Sequence, residues 1–72
     1  MDMRKLVGDN VRRLRQRRGL TQEQFAEKSG YSQQYISDFE RGRRNPTVIT
    51  LFELATALEV GHVELLRPSR TR

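Results

Sequence analysis

The stretch that decides the fold is TQEQFAEKSGYSQQYISDFERGRRNP, residues Thr21 to Pro46. It contains two short amphipathic segments, one on each side of Gly30. Thr21 followed three residues later by Gln24 is the pattern of a capping box, so a helix is predicted to begin there. Glycine adopts the left-handed conformation that ends many helices, and Gly30 is therefore predicted to end this one.

The second segment is predicted to be a helix that begins after Ser32, a good N-cap, and runs to about Arg41. Two adjacent glutamines, Gln33 and Gln34, lie in its first turn, and polar side chains occupy its whole outward face. The Glu–Lys pairs that usually cover a solvated helix surface are missing from this face. Two short helices joined by a tight turn predict a helix-turn-helix, whose second helix enters the major groove of DNA.

The polar face has a chemical interpretation and a structural one. Glutamine can bond bidentately to adenine N6 and N7, Asp38 can accept from cytosine N4, and Arg41 can reach guanine or a phosphate. Alternatively, Gln33 and Gln34 are simply polar residues at a helix N-terminus. A purely structural helical hairpin could use the same turn, so the pattern leaves both interpretations open.

One further helix is predicted on each side of this stretch. MRKLVGDNVRRLRQRRG has apolar residues at helical spacing and ends at Gly19, although Gly8 inside it costs about 1 kcal/mol relative to alanine. TVITLFELATALEV has an apolar stripe and is capped by Thr47 or Asn45.

A short fifth helix, HVELLR, is predicted between Gly61 and Pro68. No segment alternates with a period of two over the length of a strand. The sequence therefore predicts an all-α domain of five helices, over residues 1–67, with a basic and disordered tail at residues 68–72.

Length and composition exclude most enzyme classes. A chain of 72 residues forms one small domain, in which a deep catalytic cleft is hard to build. The chain has no cysteine, and its one histidine, His62, cannot form a metal cluster by itself. There is no phosphate-binding glycine loop and no histidine beside a plausible nucleophile. We expect no enzymatic activity, no metal and no cofactor.

The apolar runs are too short for a membrane span, and residues 1–20 carry too many charges for a signal peptide. We therefore expect no membrane partner and a cytoplasmic location.

The net charge of +5 is unevenly distributed. Residues 1–20 hold seven Lys/Arg and two Asp/Glu, residues 21–40 hold one Lys and four acids, and residues 41–72 hold six Arg and three Glu. The segment charges are therefore +5, −3 and +3. Two basic segments around a less charged centre suit a polyanion that is held at its edges. The alternative is a basic surface that serves solubility.

The blocks VRRLRQRRGLTQEQFAEKSG, YSQQYISDFERGRRNP and TLFELATALEV…ELL resemble the Cro/repressor-type, Xre-like helix-turn-helix family of phage and bacterial regulators. The resemblance extends from about Arg12 to Leu66. It implies a five-helix, lambda-repressor-like DNA-binding domain that contacts double-stranded operator DNA. It also implies a bacterial or phage-derived protein that is associated with the nucleoid.

The resemblance also implies roles for individual residues on and around the second helix of the motif. The residues expected to contact base edges are Gln33, Gln34, Ser37 and Asp38. The residues expected to contact backbone phosphates are Gln22, Ser32, Arg41, Arg43 and Arg44. This division agrees with the general rule that phosphate contacts position a protein on DNA and base contacts give specificity.

Arg15 and Glu40 match a pair that forms an internal salt bridge in many relatives, so we interpret them as structural. The end of the last helix often forms a two-fold dimer contact in the family, which assigns this role to Val63, Leu65 and Leu66. The same three residues could instead be core. A symmetric dimer would bind two half-sites about one helical turn apart in a palindromic operator.

The sequence is therefore interpreted as a sequence-specific transcriptional regulator that represses by occupying its operator as a homodimer, with no small-molecule effector evident. Small relatives also include antitoxins and controller proteins of restriction–modification operons, which activate as well as repress. A protein-interaction module on the same scaffold is the alternative of another class. Such a module would show exposed Leu, Met or Trp on the outward face, where this sequence has Gln, Ser and Arg.

Overall fold

The computed structural model describes residues 2–68, which form four α-helices followed by one 3-10 helix. The helices are α1 Met3–Arg17, α2 Gln22–Ser29, α3 Gln33–Glu40, α4 Val48–Leu58 and the 3-10 helix His62–Leu66. Residues 2–68 contain no strand, so the predicted all-α class is confirmed. None of these helices combines the length and the apolar character that crossing a membrane requires. Of the predicted basic tail, residues 69–72 lie outside the described residues.

The predicted helix starts are confirmed in their hydrogen bonds. The Thr21 hydroxyl accepts the Gln24 N–H at 3.0 Å, and the Gln24 side chain accepts the Thr21 N–H at 2.8 Å. Ser32 caps α3 by accepting the Tyr35 N–H at 3.0 Å. Of the two possible caps for α4, the structure uses Thr47. Each of these bonds joins residues three positions apart, which is why the sequence pattern locates them.

The prediction of a fifth α-helix is wrong. His62–Leu66 is a 3-10 helix, in which the Glu64 N–H donates to the carbonyl of Gly61, three residues back, at 3.0 Å. Gly61 has no side chain to cap an α-helix, and Pro68 follows shortly after. A segment of only five residues therefore adopts the tighter helix, which is common in short pieces.

One core joins all five elements. Its buried apolar side chains are Val7, Val11, Leu14, Phe25, Ala26, Ile36, Phe39, Leu54, Ala55, Leu58 and Leu65. Full burial of each larger side chain stabilises the fold by about 1.5–3 kcal/mol. Because α3 contributes only its inner side to this core, its outer side remains available for a partner.

Leu65 requires a correction. Its side chain has no exposed surface and packs in the core of its own chain, so it is not available for a dimer contact. Val63 and Leu66, by contrast, are 56% and 40% exposed. The resemblance assigned all three to a dimer contact with the core as the alternative, and for Leu65 the structure shows the core. Apolar character alone does not show which side of a short helix faces the core.

A buried polar side chain holds the 3-10 helix in place. Asn10, which is fully buried in α1, donates to the carbonyl of Leu65 at 3.0 Å and to that of Arg67 at 2.7 Å. Arg13 donates to the Asn10 amide oxygen at 2.9 Å. Both the nitrogen and the oxygen of the Asn10 side-chain amide are thus hydrogen-bonded, as a buried amide requires. Asn10 fixes the segment that carries the exposed Val63.

Candidate nucleic-acid interface

Helices α2 and α3 form a helix-turn-helix around Gly30. Gly30 has a φ of 84°, and its N–H donates to the Ala26 carbonyl at 2.9 Å. This left-handed residue reverses the chain so sharply that α3 can begin at Gln33. Phe25 and Ile36 are both fully buried and belong to the shared core between the two helices.

The four predicted base-contacting residues lie on the side of α3 away from the core. Gln33 and Gln34 are exposed in the first turn, and Ser37 and Asp38 are half-buried one turn later. Positions three and four residues apart lie on one side of a helix, so these side chains form a continuous polar surface. We call the surface of Gln33, Gln34, Ser37 and Asp38 the polar face of α3.

Asp38 has a partner on each of its carboxylate oxygens. The Gln34 side-chain amide donates to Oδ1 at 3.0 Å, and Nη2 of Arg44 lies 3.8 Å from Oδ2. In addition, the Arg43 backbone N–H donates to the Asp38 carbonyl at 2.9 Å. The loop that follows α3 is therefore tied back to the polar face.

Arg44, predicted to contact phosphate, is also held by an aromatic stack. Its guanidinium lies over the Tyr35 ring, 4.8 Å from the ring centroid, and Tyr35 stacks on Tyr31 with 4.7 Å between centroids. A cation over an aromatic face contributes about 0.5–1 kcal/mol at an exposed site. Tyr31 therefore packs against the ring that supports Arg44.

The Tyr31 hydroxyl links the start of α3 to α4, a connection that the sequence did not predict. It donates to Oε1 of Glu53 at 2.6 Å and lies 3.3 Å from the Thr50 hydroxyl. The hydrogen bond to Glu53 raises the pKa of Tyr31, because ionisation would remove the donated proton and place two anions together. No spacing rule relates Tyr31 to Glu53, since the contact depends on how α4 packs.

The internal ion pair predicted between Arg15 and Glu40 is present, and it is buried between α1 and α3. Nε of Arg15 donates to Oε2 of Glu40 at 2.6 Å, and Nη2 donates to Oε1 at 3.0 Å. Nη1 of Arg15 donates to the Leu20 carbonyl at 2.8 Å. Both charged side chains are buried, so this bidentate pair orients α3 against α1 rather than facing a ligand.

Gln22 is held by the same cluster. Its side-chain amide donates to Oε1 of Glu40 at 3.1 Å, and the residue is half-buried. A primary amide has two hydrogens, so the predicted phosphate contact is compatible with this bond. Ser32 is similar, because a hydroxyl that accepts a capping bond can still donate to a phosphate.

Positive charge borders the polar face at the C-terminal end of α3. Arg41 and Arg43 are exposed at the end of α3 and in the loop that follows it. The exposed Lys5 was missed as a candidate, although residues 1–20 carry the largest positive charge of the chain. It lies against this loop, since a Cβ added to Gly42 would be 3.1 Å from its Cα.

Chemically, the surface combines amide and hydroxyl groups at its centre with guanidinium groups at its edge. This is the distribution with which proteins contact base edges and phosphates of duplex DNA. Within residues 2–68 no group of three or more His, Asp or Glu side chains is placed to hold a metal ion.

Comparison with known proteins agrees with this geometry. A family model described as helix-turn-helix matches residues 11–65. The chain is 68% identical over 69 residues to the uncharacterized HTH-type transcriptional regulator y4dJ of Sinorhizobium fredii, covering 96% of this chain and 90% of that protein. It is 44% identical over 66 residues to the control protein C.SmaI of Serratia marcescens, covering 92% and 79% of the two chains.

A solved structure shows the same fold. The crystal structure of the hypothetical transcription factor NHTF from Neisseria superposes with a TM-score of 0.89 at 34% identity, and the match covers 93% of this chain and 77% of that one. The family match spans more than half of the sequence and includes both helices of the motif. The chain therefore belongs to the Xre-like helix-turn-helix family.

Proposed function

We propose that this protein is a sequence-specific regulator of transcription that binds double-stranded DNA and represses by occupying its operator. The observation that carries the proposal is the polar face of α3, whose side chains lie outside the core and are bordered by arginines. The similarity to an HTH-type transcriptional regulator supports the same conclusion.

In this proposal the first turn of α3 enters the major groove. Gln33 and Gln34 contact base edges, and Ser37 contacts a base or the sugar-phosphate edge one turn later. Gln22, Ser32, Arg41, Arg43 and Arg44 contact phosphates on either side of the groove. The buried pair of Arg15 and Glu40 has no direct part in binding and fixes the angle at which α3 is presented.

We further propose that the regulator binds a palindromic operator as a homodimer. Five exposed apolar residues support this: Val48, Ile49, Phe52, Val63 and Leu66. We call them the apolar surface. Val48, Ile49, Phe52 and Leu66 line one apolar groove between α4 and the 3-10 helix. A second copy is the occupant that fits, because a two-fold contact between identical surfaces places two α3 helices for two half-sites.

A controller of a restriction–modification operon is the second candidate. The 44% identity to the control protein C.SmaI and the structural match to the restriction–modification controller C.AhdI of Aeromonas hydrophila, with a TM-score of 0.83, favour it. Such a controller would activate at one operator occupancy and repress at another. Transcription assays over a range of protein concentrations separate the two candidates, since a simple repressor never raises transcription.

Replacing Gln33 with alanine is expected to weaken binding to the true operator by about 2 kcal/mol. The reason is that a bidentate base contact is lost from the first turn of α3. Affinity for random duplex DNA should hardly change, because non-specific binding depends on phosphates. Fluorescence anisotropy with both duplexes measures the difference, and equal losses on the two would rule out base recognition by Gln33.

Replacing Arg43 with alanine is expected to weaken binding to operator and random DNA alike. One phosphate contact fewer lowers the slope of log affinity against log salt by about one unit. Titrations at several salt concentrations measure this slope. An unchanged slope would remove Arg43 from the phosphate-contacting residues, and Glu27→Gln, an exposed α2 substitution with the opposite change in charge, is the control.

Replacing Phe52 with glutamate is expected to make the protein monomeric at micromolar concentration. Phe52 is 58% exposed in the proposed contact, and a carboxylate there would lose its water on dimerisation. Sedimentation equilibrium measures the effect, with Gln16→Glu on α1 as a control of equal charge change. A wild-type protein that is monomeric, or a Phe52→Glu variant that is still dimeric, would contradict the proposed contact.

A further inference from the structure

We infer that Asp38 does not contact a base itself but positions the side-chain amide of Gln34. In that position Gln34 binds adenine in preference to guanine. The inference rests on the proposed function. It gives Asp38 a different role from the direct contact with cytosine that its place on the polar face of α3 predicts.

The hydrogen bond between Gln34 and Asp38 has one possible direction. A carboxylate only accepts hydrogen bonds, so the atom of Gln34 that lies 3.0 Å from Oδ1 must be the amide nitrogen. This bond uses one of the two amide hydrogens of Gln34. The other hydrogen and the amide oxygen Oε1 remain available, which leaves one donor and one acceptor for DNA.

This remaining pair distinguishes the two purines. In the major groove adenine presents an acceptor at N7 and a donor at N6, which match one N–H and one carbonyl oxygen. Guanine presents two acceptors, N7 and O6. A free glutamine can turn both amide hydrogens toward guanine, but Gln34 has already given one to Asp38. Its remaining acceptor would face O6, so guanine can form one hydrogen bond fewer than adenine and is disfavoured.

Asp38 is itself held in position, which makes it suitable for orienting another residue. Its second oxygen lies 3.8 Å from Nη2 of Arg44, and Arg44 lies on the Tyr35 ring. Tyr35 in turn stacks on Tyr31. The Asp38 side chain is only 21% exposed, so few alternative positions are open to it. The Gln34 amide is therefore oriented before DNA arrives, which lowers the entropic cost of the base contact.

Gln33 provides a comparison within the same helix. It is the same residue type one position earlier, and it is exposed. The residue four positions after Gln33 is Ser37, which offers a hydroxyl rather than a carboxylate. Gln33 therefore has no equivalent restriction, and its preference among bases should not depend on Asp38.

The test compares operators that carry adenine or guanine at one base pair. The operator is first selected with the wild-type protein. The base pair to be tested is the one at which the Gln34→Ala variant no longer prefers one base over the others. Asp38→Ala is expected to reduce the preference for adenine over guanine there about tenfold. This is the size of effect expected when one bidentate contact with a base is weakened. Asp38→Asn keeps an acceptor oxygen for Gln34 and should retain most of the preference.

A double mutant separates positioning from direct contact. If Asp38 acts through Gln34, Asp38→Ala has no effect on base preference in a Gln34→Ala background. An unchanged preference in the single variant would overturn the inference. So would a change at another base pair, or one that persists without Gln34, because Asp38 would then contact a base directly.

An independent measurement covers the case in which Asp38→Ala does not fold. In the free wild-type protein, NMR should show slower solvent exchange of the Gln34 side-chain amide hydrogens than of those of Gln33. Equal exchange rates would overturn the inference. A wild-type protein that selects no operator at all would instead contradict the proposed function, so the two failures are distinguishable.

Discussion

Replacing Glu40 with alanine is expected to lower the free energy of unfolding by about 3–5 kcal/mol. Arg15 and Glu40 are only 8% and 6% exposed, and two hydrogen bonds join them. Removing the carboxylate leaves the guanidinium buried with the Leu20 carbonyl as its remaining acceptor. Since small domains are stable by about 5–15 kcal/mol, much of the total would be lost. Urea unfolding followed by circular dichroism measures the change.

The exposed ion pair between Arg18 and Glu59 is the matched control. Both of its side chains are well exposed, so Arg18→Ala should cost less than about 1 kcal/mol. The double substitution Arg15→Met with Glu40→Leu should recover much of the loss, because apolar residues of similar volume often replace a buried pair without penalty. If Glu40→Ala cost no more than Arg18→Ala, the buried pair would not be the contact that orients α3 against α1.

Replacing Gly8 with alanine is expected to destabilise the protein by about 3 kcal/mol, at the upper end of what overpacking costs. A Cβ at this position would overlap the carbonyl oxygen of Phe39 and lie 3.0 Å from that of Glu40. Both are backbone atoms of α3, so they cannot turn away as a side chain would. The helices α1 and α3 would have to separate, and thermal unfolding reports the loss.

Gly61→Ala is the control for this substitution. Gly61 has a φ of −72°, and an added Cβ would meet nothing within 4 Å. We expect a change within about 0.5 kcal/mol. Helix propensity alone predicts that Gly8→Ala stabilises the helix by about 1 kcal/mol, the opposite sign. A stabilised Gly8→Ala variant would therefore show that α1 and α3 do not approach as closely as the structure has them.

Gly8 also shows what the sequence could and could not predict. The caps at Thr21 and Ser32 follow from bonds between residues three positions apart, so a pattern search finds them. Gly8 weakens its helix in a local analysis, whereas its role depends on a helix that begins 25 residues later. Contacts over such distances are decided by packing, which no local pattern contains.

The polar face was predictable in outline but not in its connections. Helical periodicity places Gln34 and Asp38 on one side of α3, and their bond spans one helical turn. The contact between Arg44 and Asp38 depends on the path of the loop after α3. The hydrogen bond from Tyr31 to Glu53 depends on the packing of α4. For the same reason the sequence could not distinguish the buried Leu65 from its exposed neighbours.

The central claim is that this chain recognises a specific DNA sequence through α3. Selection of bound duplexes from a random library, with purified protein at about 0.15 M salt, tests it most directly, because non-specific phosphate binding is already weak there. The account predicts an enriched palindrome with half-sites about one helical turn apart, in which the bases contacted by Gln33 and Gln34 lose their enrichment in the Gln33→Ala and Gln34→Ala variants. No enriched sequence from a folded wild-type protein would contradict it.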